Sequence, residues 1–404
     1  MQAKAVAEVV RLLVYPLKAC QGVSIDKINV GSLGFEHDRM FCVVDLDGDR
    51  YPERQALSQR QVPKLAAVKV EYSDRSGKKQ LVVSAPDMER KLIVDTEEED
   101  FEDNGDVLVN CEGKSTTSSG GWSMGVLPGK SAGEDATSWF TEYLNKVEPS
   151  SGKRKLPKAT FCLVRALSKN AARKLAIYAG PKQVPYSADT KKQKLGFGSP
   201  FKMRSVNVKS TDALYFQDFA PCNICSVDSL EELSEVMSDA AEKSIEHPVQ
   251  CFRPNIVVKN FNDSPFDEET WKFFQVGDSA RFRHLKLTPR CTVPARNPTT
   301  GDWLYPFKKL LVQKTLKRMF PKKCLDIEWE EQWQGPSFGV HLGYESEASG
   351  SSFSLLKLGD KVRVFSFKDL PATSYSWSIL CSHILALGMT LCVLFMIIDF
   401  SKHY

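Results

Sequence analysis

The feature that most constrains this chain is an uninterrupted apolar run near its C-terminus. Residues 377–398, WSILCSHILALGMTLCVLFMII, contain no Asp, Glu, Lys or Arg. As an α-helix these 22 residues would extend about 33 Å, which is enough to cross the hydrocarbon core of a bilayer. Lys368 and Asp369 precede the run, and Asp399 and Lys402 follow it. The run predicts a single transmembrane helix, because the alternative, a helix buried in a protein core, is usually shorter.

The chain begins MQAKAVAEVVRLLVYPLK, without the basic segment and apolar core of a signal peptide. Its 11 cysteines have no regular spacing, which is typical of free thiols in a reducing compartment. We therefore expect a tail anchor that leaves the first roughly 370 residues, including any catalytic region, in the cytosol. The outer mitochondrial membrane and the endoplasmic reticulum membrane are both compatible with such an anchor.

Length and composition favour two folding units before this run. A chain of 404 residues exceeds one average domain, and its 42% hydrophobic content allows a sizeable core. The net charge of +4 is small beside 54 basic and 50 acidic side chains, and no dense basic block alternates with aromatic residues. We therefore do not expect nucleic acid to be a partner.

The first unit is predicted to be mostly β. Residues 5–15 and 40–46 are rich in β-branched and aromatic residues and are bounded by turn signals. Residues 65–72 and 80–84 predict a hairpin that turns at Ser76 and Gly77.

A change in composition separates this unit from the second one. Residues 95–158 include an acidic stretch and a Ser/Thr/Gly-rich stretch, which favours an insertion or connection inside a first domain of residues 1–165. Within it, residues 133–147 have apolar side chains at helical spacing and predict one amphipathic helix.

The second unit, residues 186–366, is predicted to be β-rich with one or two helices. A capping-box pattern from Ser229 to Glu232 predicts a helix that runs to about Lys243. Apolar or alternating segments after it predict strands, among them NIVV, ARFRHLKL and LKLGDKVRVF. The expected fold class is therefore mainly β with a few helices.

Four segments place polar or reactive residues in apolar surroundings. In YPLKACQG, Lys18 could hold a phosphate as a point charge, although a solvated lysine at a turn is more common. In FEHDRMFCVV, Arg39 follows Asp38, which by itself indicates no more than a local ion pair. In CFRPNIVV, Arg253 and Asn255 are two apart, so in a strand both would project from one face and could clamp an anion or a heterocycle. The alternative is that they satisfy backbone groups.

The fourth segment places Cys291 among several arginines and lysines, in RFRHLKLTPRCTVPARNPTTGDW. Positive neighbours favour the thiolate, which is the form that binds metals and attacks electrophiles, although a single cysteine is more often structural. Cys222 and Cys225 form a CxxC pair without a second pair at zinc-site spacing and without a thioredoxin-like context. Buried free thiols are the better interpretation of that pair.

Taken in order, these segments resemble the MOSC family. The similarity is carried by YPLKACQG, HDRMFCVVD followed by ERQ, CFRPNIVV, PRCTVPARNPTTGDW, and GPSFGV with LGDKVRV. Within the family, it points to the mitochondrial amidoxime-reducing component and to the C-terminal part of molybdenum cofactor sulfurases. The resemblance implies an N-terminal β-rich domain, a MOSC β-barrel domain and a pyranopterin-type molybdenum cofactor between them. It also implies that Cys291 gives its thiolate to the metal and that Lys18, Arg39, Arg253 and Asn255 hold the cofactor.

The implied activity is the reduction of N-oxygenated compounds such as amidoximes, hydroxylamines and N-oxides. The resemblance further implies electron supply by a b-type cytochrome and its NADH-dependent flavin reductase. The alternative is a carrier that transfers molybdenum cofactor or sulfur without reductase activity. Ala19 and Ala220 stand where members of this family often have serine, so the resemblance implies that two hydroxyl donors near the cofactor are missing.

Overall fold

The computed structural model describes residues 4–75, 78–96, 107–111, 126–147, 157–167, 173–174, 213–319, 336–345 and 353–365. No helix in these ranges is long and apolar enough to cross a membrane. The transmembrane helix predicted at 377–398 lies outside the described residues, as does the turn predicted at Ser76 and Gly77.

Strands dominate the described residues, which confirms the predicted class. The strands are β1 (Ala5–Val14), β2 (Val23–Ile25), β3 (Lys27–Gly31), β4 (Gly34–Phe35), β5 (Phe41–Asp45), β6 (Lys69–Arg75), β7 (Lys78–Ser84), β8 (Leu92–Asp95), β9 (Val107–Asn110), β10 (Val126–Ser131), β11 (Phe161–Ala166), β12 (Arg173–Lys174), β13 (Ala213–Leu214), β14 (Cys222–Ser226), β15 (Ile256–Asn260), β16 (Phe273–Val276), β17 (Ala280–Pro289), β18 (Ser337–Glu345), β19 (Phe353–Lys357) and β20 (Lys361–Phe365). The α-helices are α1 (Glu134–Lys146), α2 (Val227–Ala241) and α3 (Leu311–Arg318).

Seven strands close into a barrel in the order β15, β14, β18, β17, β16, β20 and β1. The first strand of the chain completes the barrel, because β1 pairs antiparallel with both β15 and β20. Side chains that alternate along each strand fill the interior, for example Val340, Leu342 and Tyr344 of β18. Closure leaves these strands no open edge within the ring.

A second β region packs around α1. The sheet β5-β11-β10-β9 and the sheet β6-β7-β8 flank a core that contains Trp139 and Phe140, both fully buried. The interpretation of residues 95–158 as mostly an insertion or connection stays a prediction, but the described parts of that range contain strands and a helix of this region. β9 and β10 belong to the four-stranded sheet because Val107, Val109 and Leu127 alternate into its core. The amphipathic helix predicted within the range is confirmed as α1.

The helices α2 and α3 pack on a separate apolar cluster that also includes Leu13 and Phe338. The predicted helix near residue 229 is confirmed, but it begins one turn earlier. Ser226 is the N-cap, and its hydroxyl oxygen accepts a hydrogen bond from the Ser229 backbone N–H at 3.0 Å. The Ser229 hydroxyl is instead used by Glu268, so the capping-box pattern does not mark the first turn.

Candidate functional site

Two arginine side chains contact the ring of a buried tyrosine, Tyr15, that follows the last residue of β1. The Tyr15 ring has the guanidinium carbon of Arg39 at 4.4 Å from its centre and that of Arg253 at 4.2 Å. The ring is almost fully buried, and burial raises the pKa of its hydroxyl to about 12. Gly22 permits this packing, since a Cβ there would lie 2.5 Å from the ring. Tyr15, Arg39 and Arg253 together are called the arginine cradle.

Arg39 is held from several sides. It forms an ion pair with fully buried Asp38, which also accepts a hydrogen bond from the Tyr15 backbone N–H at 2.9 Å. Its guanidinium donates to the Asn255 side-chain oxygen at 3.3 Å and to the Arg253 carbonyl at 3.1 Å. The left-handed backbone of Arg39, with φ of 49°, helps to turn its side chain toward these partners. This guanidinium is therefore positioned before any ligand binds.

Arg253 has one donor group left over. Its Nη1 donates to the Cys20 carbonyl at 2.6 Å, whereas its buried Nη2 has no hydrogen-bond partner among the described residues. Burial and the positive charge of Arg39 lower the pKa of Arg253 to about 10. A buried donor without an acceptor is costly unless a ligand supplies one. The cradle therefore suits an anionic or acceptor-rich group.

The prediction that Arg253 and Asn255 lie in one strand is wrong. Arg253 has a left-handed backbone and ends a 3-10 helix at Val249–Phe252, and β15 begins only at Ile256. The intervening Pro254 has no N–H to give to a strand ladder.

Asn255 holds strands together and supports Arg39. Its side-chain oxygen accepts from the Asn223 backbone N–H at 3.2 Å as well as from Arg39. Its side-chain nitrogen donates to the Leu13 carbonyl at 3.2 Å. The amide is thus bonded at both ends and is 1% exposed. It orients the arginine cradle through these contacts.

Lys18 lies beside the cradle. Its ammonium donates to the Phe216 carbonyl at 2.8 Å and pairs with Asp218, whose side chain is 72% exposed. The Phe216 N–H donates to the Arg39 carbonyl at 3.1 Å, which links the two cations through one residue. An exposed carboxylate can turn into solvent at little cost, so Lys18 can exchange Asp218 for another anion.

Cys291 is exposed and lies two residues after the end of β17. Its sulfur accepts a hydrogen bond from the Val293 backbone N–H at 3.5 Å. The preceding Arg290 donates to the carbonyls of Phe252 at 2.8 Å and Phe338 at 2.9 Å, and so ties this part of the chain to the barrel. Burial lowers the pKa of Arg290 to about 10. Residues 290–303 are called the cysteine loop.

Two further residues lie on the outer face of β17 and β18: Lys286, which the sequence marked only as a positive neighbour of Cys291, and His341, which it did not mark. Because Val340 and Leu342 point into the barrel, His341 between them points outward, 5.1 Å from the Phe219 ring. Lys286, its neighbour on β17, places its ammonium 3.5 Å from the centre of the same ring. Burial holds the pKa of both side chains well below their usual values. A lone histidine in an apolar strand is the sequence signal for His341.

The described part of the site contains one exposed thiol, that of Cys291. Within the described ranges no group of three or more His, Cys, Asp or Glu side chains could hold a metal ion. Cys222 and Cys225 are free and buried, as predicted, and burial raises the pKa of both thiols above its usual range. The residues present therefore fit a metal that arrives with its own organic ligand, because such a group needs one protein thiolate and cationic partners for its anionic part.

Two family models match this chain. The model of the MOSC N-terminal beta barrel domain matches residues 6–147, and the model of the MOSC domain matches residues 211–363. Together they cover well over half of the chain. The chain therefore belongs to the MOSC-domain family. The domain boundaries predicted at 165 and 186 stay predictions.

Individual relatives are similar along most of the chain. "Mitochondrial amidoxime reducing component 2" of Bos taurus is 27% identical over 369 residues, covering 88% of this chain and 83% of that protein. Its Homo sapiens counterpart is 25% identical with the same coverage. "Molybdenum cofactor sulfurase" of Solanum lycopersicum is 21% identical over 357 residues, which cover 87% of this chain but 35% of that protein.

Proposed function

We propose that this chain is a molybdenum-cofactor-dependent oxidoreductase that reduces N-oxygenated compounds such as amidoximes, hydroxylamines and N-oxides. Membership of the MOSC family and similarity to proteins named amidoxime reducing components support the proposal. The observation that carries it is the buried Nη2 of Arg253, a donor without an acceptor that belongs to a preformed cationic cradle.

Each site residue has a role in this proposal. The guanidinium groups of Arg39 and Arg253 hold the acceptor-rich part of the cofactor, since forked donors match phosphate and heterocycle edges. Lys18 releases Asp218 and binds the phosphate. Asn255 keeps Arg39 in place through its two fixed hydrogen-bonding ends. Cys291 supplies the thiolate to molybdenum.

When bound, the cofactor supplies the two-electron chemistry that removes oxygen from the substrate. The protein contributes access and electrostatics. Exposure of Cys291 leaves the reacting side open to small substrates. Lys286 and His341 line a buried face whose environment disfavours additional positive charge, so His341 remains neutral at physiological pH.

We further propose that the run at 377–398 attaches the protein to a membrane with its catalytic region in the cytosol. The outer mitochondrial and endoplasmic reticulum membranes remain the candidates, and the word mitochondrial in the names of the relatives favours the first. Electrons would come from a b-type cytochrome and its NADH-dependent flavin reductase, which reach the site from the same membrane.

The test is an amidoxime reduction assay with purified full-length chain loaded in a host that makes molybdenum cofactor. NADH, the flavin reductase and the b-type cytochrome are added, and amidine formation is measured. We expect turnover that requires all three components and that is lost in Cys291→Ala. Absence of turnover in a chain proven to contain molybdenum would contradict the reductase assignment.

A carrier protein is the second candidate, supported by similarity to a molybdenum cofactor sulfurase. A carrier would release its cofactor to a cofactor-free acceptor enzyme. Incubating the loaded chain with such an acceptor and assaying the acceptor's activity distinguishes the two functions. Activation of the acceptor without amidoxime turnover would favour the carrier.

A further inference from the structure

One surface, at α3 and the turn before it, combines exposed apolar side chains with positive charge. The Phe307 side chain is 100% exposed and that of Leu310 is 48% exposed. Leu311 and Val312, the first two residues of α3, are buried, whereas none of the described residues covers the ring of Phe307. Transfer of a phenylalanine side chain from water to an apolar environment is favourable, so an exposed ring of this size marks a possible contact surface.

The charged side chains around the Phe307 ring are positive. Residues 303–319 include five lysines and arginines and no aspartate or glutamate. Phe307 and Leu310 line a groove of about 610 Å³ together with Lys308, Lys309, Lys314 and Arg318, and none of the described residues of its wall is acidic. These six residues are called the basic-aromatic surface. Its base is fixed, because the Lys308 ammonium donates to the Ala240 carbonyl at the end of α2 at 3.1 Å.

We propose that the basic-aromatic surface binds an anionic phospholipid bilayer. Phe307 and Leu310 enter the interfacial layer, and the lysines and the arginine contact the headgroups. Aromatic and aliphatic side chains flanked by lysines are the composition that binds at a membrane interface, where each basic residue adds attraction to anionic lipid.

A bilayer fits this surface better than a protein partner. Protein interfaces place their apolar anchors in well-packed pockets surrounded by a rim, whereas Phe307 projects with no part of its side chain covered. A fluid interface needs no complementary pocket. The uncharged run at 377–398 also follows Phe365 closely in sequence, and an extended chain of the intervening length spans only about 40 Å. A membrane held by that run would be within reach of the folded part.

This inference is independent of the molybdenum chemistry, because it requires neither cofactor nor substrate. The test uses the full-length chain in lipid nanodiscs, with Phe307 replaced by the photo-crosslinking residue p-benzoylphenylalanine. One set of discs contains phosphatidylcholine alone, and the other contains roughly one third phosphatidylserine. Lipid adducts on the peptide that contains residue 307 are measured by mass spectrometry after irradiation.

We expect lipid adducts at position 307 in the anionic discs and a decrease of about tenfold in Lys308→Glu/Lys309→Glu. The matched control, Lys78→Glu/Lys79→Glu, reverses another pair of adjacent exposed lysines and should change nothing. The same probe at Phe261, which is 51% exposed elsewhere, should give background adducts. Equal adducts at 307 and 261, equal adducts in both lipid mixtures, or adducts to a second protein chain in place of lipid would overturn the proposal.

Discussion

The arginine cradle and the cysteine loop, which we propose as two sides of one site, are held in different ways. Arg39, Arg253 and their partner Asn255 are tied by hydrogen bonds that reach several strands, and Asp38 beneath them is fully buried. The thiol of Cys291 instead lies in solvent with one long hydrogen bond. The difference indicates a binding side that is formed in advance and a reacting side that is left accessible.

The largest effect should come from removing the buried support of the cradle. Asp38→Ala leaves the Arg39 guanidinium and the Tyr15 N–H without the carboxylate that they share. We therefore expect the free energy of unfolding to fall by about 3–5 kcal/mol. Denaturant unfolding measures this. Asp218→Ala is the control, because it removes an exposed partner of Lys18 and should cost less than about 1 kcal/mol. Similar losses in the two variants would show that the cradle is not preorganised.

A smaller effect is expected where the cysteine loop touches the first domain. Gly301 has φ of 76°, and a Cβ there would lie 2.0 Å from the Pro63 carbonyl oxygen. Gly301→Ala should therefore destabilise by about 2–4 kcal/mol through strain and a backbone clash. Gly133→Ala shares the positive φ but meets nothing within 4 Å, so its cost should be about 1 kcal/mol. Equal melting temperatures for the two variants would contradict the close contact.

The free energy of unfolding should also depend on pH through a histidine next to the cysteine loop. His247 is buried behind the cysteine loop, its Nδ1 is 2.8 Å from the Tyr305 hydroxyl, and burial lowers its pKa to about 4. The unfolded histidine takes up a proton near pH 6.5, but the folded one does not, so stability is lost as pH falls from about 6.5 to 4, by roughly 1–3 kcal/mol. His247→Phe should flatten this pH dependence of unfolding. An unchanged slope would mean that His247 does not contribute.

The smallest effect on stability is expected at the reacting thiol itself. Cys291→Ala removes an exposed sulfur with one long hydrogen bond, so the free energy of unfolding should change by less than about 0.5 kcal/mol. Cys251→Ala is a buried comparison and should cost about 1 kcal/mol or more. A large loss in Cys291→Ala would show that the thiol has a structural role.

The sequence predicts the elements of the fold well where hydrophobic pattern decides them. The strands at 5–14 and 41–45 and the helices α1 and α2 follow from local patterns. Barrel closure by β1 does not, because it depends on pairing with strands more than 200 residues away. The start of α2 was misplaced because Ser226 and Ser229 are both suitable caps, and tertiary contact with Glu268 decides between them.

For the candidate site, too, the sequence indicated which residues to consider but not the tertiary contacts between them. The resemblance to the MOSC family implied Lys18, Arg39, Arg253, Asn255 and Cys291 as candidates, but it did not predict how they are held. The stacking of two arginines on Tyr15 and the bonding of Asn255 at both ends are tertiary contacts. His341 lacked any motif. Its place beside Lys286 follows only from the pairing of β17 with β18.

The most direct test of cofactor binding is the molybdenum content of the full-length chain. The protein is purified from a host with verified cofactor supply, and metal per chain is measured by mass spectrometry for wild type, Cys291→Ala and the control Cys111→Ala. We predict nearly one molybdenum per chain in wild type and Cys111→Ala, and a large loss in Cys291→Ala. Well-folded wild type without molybdenum, or equal metal in all three proteins, would contradict the assignment of Cys291 as the metal ligand.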